Sequence, residues 1–303
     1  MTLSSTKNRV IFLDLIRAFA VLNMVQGHTI DVLLGTQFRN LDNIFFLSWW
    51  TNRGLTAPIF LFTAGTVFTY LFRLHKEPAE KNPRTKKGFG RFFLLLSIGY
   101  IMHYPTWTII NFENVTPELW SNFFRVDVLH LIGVGILLIL VLAFLSEKTK
   151  LGDLIIFSTT SLIFFVASIF ILRVDWINYV HPFFAGYLYG GTGSYFPLFP
   201  WLVYLLAGAI LGSILAKNPN VFKTFRFTIS LLFVGLGFLL LSVVGYFVEI
   251  ALTGKSEFWT NSPNLVIFRL GIVILLNSLF TFIALKMKTI PKIVILLGRN
   301  TLL

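Results

Sequence analysis

The chain contains no cysteine among its 303 residues. This absence excludes a thiol nucleophile, a thioester formed on the protein and every metal site that depends on cysteine ligands. Histidine is also scarce, and no two histidines stand in an H-x-x-x-H or H-E-x-x-H pair, so the sequence predicts no helical zinc site. We therefore expect a functional site that contains no metal.

Charged residues are sparse as well. They make up 13% of the chain, against 56% hydrophobic residues, and a soluble domain carries about twice that charged fraction. Apolar runs of about 20 residues recur along the whole length, which is typical of membrane helices. The sequence therefore predicts an all-α polytopic transmembrane helix bundle, one integral membrane domain over residues 1–303 in contact with the lipid bilayer. About nine spans are expected, the last one incomplete, near 10–34, 55–73, 91–110, 128–146, 154–173, 198–216, 227–249, 264–285 and from 291.

The positive charge of the chain, +12 net, is distributed unevenly between the predicted loops. If the N-terminus is inside, 17 of the 25 basic residues fall in inside segments and five in outside segments. Basic residues accumulate on the cytoplasmic side of membrane proteins, so the N-terminus is predicted to be cytoplasmic. This bias accounts for the basic excess, and we expect no nucleic-acid partner.

Four ionisable side chains lie along the first predicted span: Asp14, Arg17, His28 and Asp31. Eleven helical steps separate Arg17 from His28, which is three turns plus about 20°, so both point the same way about 16 Å apart. Ionisable groups at membrane depth usually face a cavity and have a function there. The alternative is that they reach the two membrane interfaces. We predict one continuous cavity that contains Arg17 and His28.

A carboxylate and an imidazole stand three residues apart at the start of the fourth predicted span. Asp127 and His130 can share a helix face at this spacing, and a carboxylate fixes the tautomer of an imidazole and raises its basicity, as a general base requires. The alternative is an N-cap beside an interfacial histidine. We expect this pair at the outer end of the predicted cavity. Further polar groups expected on the outer side, as substrate contacts, are Asn52, Arg53, His103 and Arg125.

A basic segment and one further arginine also stand out in the sequence. The inside segment 74–90 contains prolines, glycines and charges, which predicts a mobile linker. Arg269 stands deep in a later span, where it either neutralises a carboxylate of the first span or binds an anionic ligand.

Four elements of the chain resemble the bacterial relatives of heparan-α-glucosaminide N-acetyltransferase. The family pattern R…L-D-x-x-R-x-x-A…M-x-x-x-H is met by Arg9, Leu13, Asp14, Arg17, Ala20, Met24 and His28. The A-P-x-F-x-F-x-x-G element is met by Ala57, Pro58, Phe60, Phe62 and Gly65, and the segments Val126–Gly133 and Phe196–Gly208 resemble later elements. The spacing of Arg17 and His28 is also similar to that of the acyltransferase-3 group. The chain departs from the family at Ala18, where glycine is usual.

The resemblance implies an enzyme of the bacterial inner membrane that moves an acyl group, usually acetyl, from cytoplasmic acyl-CoA to a glycan or glycolipid outside. Its catalytic residues would be His28, Asp31, Asp127 and His130. Its acyl-CoA contacts would be Asp14, Arg17, Arg84, Lys86, Lys87 and Arg91. Two other classes stay open: a transporter or flippase of a lipid-linked or anionic solute, and a noncatalytic subunit of a membrane assembly. A homo-oligomer is compatible with each.

Overall fold

The structure is a computed structural model that describes residues 10–108, 111–256, 258–259, 262–287, 289 and 291–299. Within these ranges no strand occurs, and the regular elements are helices joined by short turns. The α-helices of the described residues are α1 Ile11–Leu33, α2 Ile44–Arg53, α3 Thr56–Arg73, α4 Pro83–Met102, α5 Pro117–Phe123, α6 Val128–Thr149, α7 Asp153–Ile171, α8 Pro182–Leu188, α9 Leu198–Lys217, α10 Phe225–Thr253, α11 Pro263–Lys286 and α12 Lys292–Arg299.

Six segments of the described chain are long and apolar enough to cross a membrane: α2 with α3, α6, α7, α9, α10 and α11. The all-helical, membrane-spanning prediction is confirmed at this level. Helices α1 and α4 coincide with predicted spans but are not among the six, because polar and charged residues interrupt their apolar sequence. A total of about nine spans and a cytoplasmic N-terminus stay predictions; Lys7, Arg9 and Lys288, which entered the charge count, lie outside the described residues.

The chain divides into two compact units. Unit 1 comprises Met1–Thr63 and Asn218–Leu303, and unit 2 comprises Ala64–Lys217, so helix α3 begins in the first and ends in the second. In unit 1 the main packing is of α10 against α11 and of α1 against α11 and α12. In unit 2, α4 packs against α6 and α7 packs against α9.

Small residues allow helices to pack closely within each unit. In unit 1 a side chain on Gly235 of α10 would lie 3.1 Å from the backbone oxygen of Gly271 in α11, and the converse distance is the same. In unit 2, Gly212 of α9 faces the Thr66 oxygen of α3, where a Cβ would lie 2.5 Å away, and Gly65 faces the Leu205 oxygen. Close backbone approach at small residues is the usual packing of membrane helices.

The segment 74–90 is not a linker throughout, and the prediction is wrong for residues 83–90. Helix α4 begins at Pro83, where the Asn82 side chain accepts a hydrogen bond from the Arg84 amide and donates one to the Phe72 carbonyl, at 2.9 Å each. Asparagine at the N-cap followed by proline at the first helical position is a helix start signal. The basic residues Arg84, Lys86 and Lys87 therefore occupy the first two turns of a helix.

Candidate active site

Asp127 and His130 form the centre of a polar cluster in unit 2. Asp127 is the N-cap of α6, and its Oδ1 accepts hydrogen bonds from the amides of Leu129 at 2.8 Å and His130 at 3.2 Å. The same oxygen lies 2.8 Å from Nδ1 of His130. One carboxylate therefore both caps the helix and contacts the imidazole, and the role of this pair as a general base stays a prediction.

The charge state of Asp127 fits this role. Burial opposes its ionised form, but hydrogen bonds from the side chain and amide of His130 outweigh that effect, so the pKa of Asp127 lies below its ordinary value. Nδ1 of His130 faces two groups of Asp127: the carboxylate oxygen at 2.8 Å, to which it can only donate, and the backbone amide at 3.3 Å, from which it can only accept. In the tautomer in which Nδ1 donates to the carboxylate, the lone pair of the imidazole is on Nε2, the atom from which a general base acts.

The imidazole of His130 is completely buried. Its ring stands edge-on to Tyr100 with centroids 4.3 Å apart, and a Cβ on Gly99 would lie 2.5 Å from its Cε1 atom. Position 99 therefore accepts only glycine without a shift of the histidine. Within the described part of the chain, Nε2 of His130 is buried and has no hydrogen-bond partner.

His103 approaches the same carboxylate, whereas Arg125 contacts an aromatic ring. His103 ends α4, where its Nδ1 lies 2.9 Å from the Gly99 carbonyl oxygen and 3.8 Å from Oδ2 of Asp127. Arg125 precedes Asp127 by two residues, and its guanidinium lies over the Tyr195 ring at 4.7 Å from the centroid. Three predicted site residues, His103, Asp127 and His130, are thus brought together.

Two tyrosines complete the cluster, and sequence reasoning did not identify them. The hydroxyls of Tyr100 in α4 and Tyr187 in α8 are 2.9 Å apart. Burial and the bond to Tyr100 raise the pKa of Tyr187 above its ordinary value, so it remains protonated. Tyr100 precedes His103 by three residues on one helix, a spacing that could have identified it. Tyr187 comes from a connection whose aromatic residues carry no such signal.

The predicted residues of unit 1 have different surroundings. On α1, Arg17 is buried at 5% exposure, Asp14 is partly buried and His28 is exposed. Asp31 forms an ion pair with Arg53 of α2, and among the described residues it makes no hydrogen bond with His28.

Two further contacts join α1 to the end of α2. Asn23 and Asn52 exchange side-chain hydrogen bonds of 3.2 Å. The Arg53 side chain covers Gly27, where a Cβ would lie 3.3 Å away. Asn52 and Arg53, predicted substrate contacts, thus bind α1 as well.

The predicted acyl-CoA contacts of unit 2 lie together at the start of α4. None of their side chains forms an ion pair within the described residues, whereas nearby Arg73 binds both oxygens of Asp153 at 2.6 and 2.7 Å and also pairs with Glu147. Glu147 in turn accepts from the Ala79 amide at 2.8 Å. This network holds the start of α4 in place and leaves four cations available: Arg84, Lys86, Lys87 and Arg91.

The predicted site is therefore divided between the units, with Asp14, Arg17, His28, Asp31, Asn52 and Arg53 in unit 1 and the remaining residues in unit 2. The continuous cavity predicted to join them stays a prediction. In the part of the chain that the structure describes, no three His, Asp or Glu side chains are grouped so as to hold a metal ion.

Comparison with known proteins adds one finding. The family model of the heparan-alpha-glucosaminide N-acetyltransferase catalytic domain matches residues 9–248. No curated protein and no solved structure matches the chain. The matched range contains every predicted site residue and ends before α11. The resemblance noted in the sequence is confirmed.

Proposed function

Because the chain belongs to the family of heparan-alpha-glucosaminide N-acetyltransferase catalytic domains, we propose that it moves an acetyl group from cytoplasmic acetyl-CoA to an extracytoplasmic sugar. The family implies acetyltransferase activity and acetyl-CoA as the donor. The observation that carries the proposal for this chain is the Asp127–His130 pair, a buried imidazole oriented by a carboxylate inside the matched range. The acceptor is an amino or hydroxyl group of a glycan or glycolipid, and the membrane is the bacterial inner membrane.

In the proposed reaction the acceptor attacks the thioester carbonyl while a base removes its proton. Nε2 of His130 takes that proton, and Asp127 stabilises the resulting imidazolium. The thiolate of CoA leaves and is protonated. If Nε2 instead attacks the thioester itself, an acetyl-imidazole forms and the acceptor then removes the acetyl group. Acid-quenched protein retains radiolabelled acetyl only on the second route.

The donor is held by cations at the start of α4. CoA carries several phosphate charges, and arginine and lysine bind phosphate strongly. Arg84, Lys86, Lys87 and Arg91 lie on the first three turns of one helix, whose position is set by Asn82 and the Arg73 network. Asp14 and Arg17 are proposed to face the acetyl-bearing arm of the donor.

His28 is proposed as the second imidazole of the site. It is exposed on α1 and Asp31 is engaged by Arg53, so the carboxylate support expected for a base is found at His130 instead. His28 is therefore assigned to contact with the acceptor, together with Asn52, Arg53, His103 and Arg125.

The test is acetyl transfer by the purified protein in liposomes, from radiolabelled acetyl-CoA to glucosamine. Asp127→Asn and His130→Gln should each lower the rate, and His75→Ala, a change at an exposed histidine remote from the pair in sequence, should not. Uptake of an anionic solute without acetylation would favour the transporter alternative, for which the ionisable residues of α1 are the supporting observation.

A further inference from the structure

One arginine of unit 1 has no assigned role in the proposed reaction. Arg269 is the seventh residue of α11, a candidate membrane span, which places it about 9 Å along the axis from the helix start. It is partly buried, and within the described residues its guanidinium makes no hydrogen bond or ion pair. Arginines at membrane depth usually pair with an anion or face a cavity. Asp31 does not supply that anion, because it pairs with Arg53.

A glycine allows this guanidinium to lie close to the end of α2. A Cβ on Gly54, at the end of α2, would lie 3.1 Å from Nη2 of Arg269. Gly54 has φ −64° and ψ −11°, a conformation open to any residue. The backbone therefore does not require glycine there, and the missing side chain is what lets the guanidinium lie at this position.

Aromatic rings of residues next to Gly54 and Arg269 contact one another. Trp50 lies one turn before Gly54 on α2, so both face the same way, and its ring meets Trp259 with centroids 5.9 Å apart. Trp259 also contacts Phe268, the neighbour of Arg269, at 6.1 Å. Trp259 and Phe268 line a cavity of about 760 Å³. Mostly apolar cavities with a few placed polar groups are the usual form of ligand sites.

We infer that Arg269, which lies against Gly54 and next in sequence to a residue of the aromatic cavity, forms a binding subsite for a phosphate group. A guanidinium donates two parallel hydrogen bonds to such an oxyanion, which a lysine ammonium cannot do. The phosphate belongs either to the sugar acceptor or to a lipid headgroup. The inference rests on the proposed function for the acceptor and for the extracytoplasmic position of this end of α11. Arg269 lies beyond residues 9–248, so the family match does not assign it.

Two assays test the subsite on the purified protein, one for each source of the phosphate. Equilibrium dialysis measures binding of radiolabelled glucosamine 6-phosphate, with glucosamine as the neutral ligand. Phosphorus analysis measures phosphatidylglycerol retained after extraction from vesicles of phosphatidylglycerol and phosphatidylcholine. The variants are Arg269→Gln, Arg269→Lys and Gly54→Ala. Arg173→Gln is the matched control, because Arg173 is exposed, lies in unit 2 and makes no side-chain ion pair in the described chain.

Arg269→Gln should weaken glucosamine 6-phosphate binding, or reduce the retained phosphatidylglycerol, by about tenfold, the worth of one charged hydrogen-bonded contact. Arg269→Lys should retain only part of the wild-type binding, and Gly54→Ala should weaken binding several-fold. The assay that responds identifies the source. If neither assay differs between Arg269→Gln and Arg173→Gln, the subsite is wrong and Arg269 only extends to the interface. Both assays measure binding, so they remain decisive even if acetyl transfer to glucosamine is absent.

Discussion

His130 in unit 2 and His28 in unit 1 have opposite surroundings. In unit 2, His130 is buried against Gly99 and Tyr100 and is bonded to Asp127. In unit 1, His28 is exposed, and the carboxylate one turn away is taken by an arginine. A carboxylate beside an imidazole favours its action as a base, and of these two histidines only His130 contacts a carboxylate within the described residues. The spacing of residues along a helix therefore shows which polar side chains share a face. The contacts that each side chain makes with other helices determine what chemistry it can perform.

The largest expected effect is on the buried pair. Asp127→Asn and His130→Gln should each reduce acetyl transfer by about 10²–10⁴-fold, the usual contribution of a general base. The measurement is the initial rate from radiolabelled acetyl-CoA, with His75→Ala as the control and circular dichroism to check that the helices form.

The exposed histidine provides the comparison. His28→Ala should lower the same rate by only about tenfold, as expected for one lost acceptor hydrogen bond. A loss larger than that of His130→Gln would transfer the role of base to unit 1 and contradict the assignment.

Packing around the buried imidazole can be tested by adding one methyl group. Gly99→Ala should lower the free energy of unfolding by about 1–3 kcal/mol, the usual cost of overpacking, because the new Cβ meets the His130 ring. Gly90 lies in the same helix, and a Cβ there would meet nothing within 4 Å. Gly90→Ala should therefore raise the free energy of unfolding by about 0.5–1 kcal/mol. Denaturant unfolding in detergent measures both, and equal effects would mean that the ring moves aside freely.

The proposed donor site gives a matched test of charge. Lys86 and Lys87 changed to Glu should weaken acetyl-CoA binding about tenfold or more and reduce its dependence on salt. Lys148 and Lys150 changed to Glu alter the net charge equally at the end of α6 and should change binding little. Titration calorimetry at two salt concentrations distinguishes the pairs. A similar loss of acetyl-CoA binding in both double variants would indicate that only the overall charge of the protein matters.

The smallest expected effect is at the exposed ion pair of unit 1. Asp31 and Arg53 are partly open to solvent, and such pairs contribute about 0–1 kcal/mol. A double-mutant cycle with Asp31→Asn and Arg53→Gln should therefore give a small coupling free energy of unfolding. A coupling above about 2 kcal/mol would show that the pair is shielded in the membrane.

Several features were predictable because they depend on neighbours in sequence. The helical spans follow from apolar length, and the Asp127–His130 contact follows from a spacing of three residues at a helix start. The start of α4 was mispredicted, because Pro83, Gly88 and Gly90 suggested a linker. The Asn82–Pro83 signal was present and outweighs those glycines, since proline is favourable at the first helical position.

The sequence by itself determined the helical class, the membrane character, the family and the pairing of one carboxylate with one imidazole. Only the tertiary structure decided that Asp31 binds Arg53, that Tyr100 meets Tyr187, and that Gly99 and Gly54 make room for His130 and Arg269. The first group of features is set within one or two helical turns, where backbone geometry fixes which side chains meet. The second joins residues on different helices, and their meeting depends on how those helices pack.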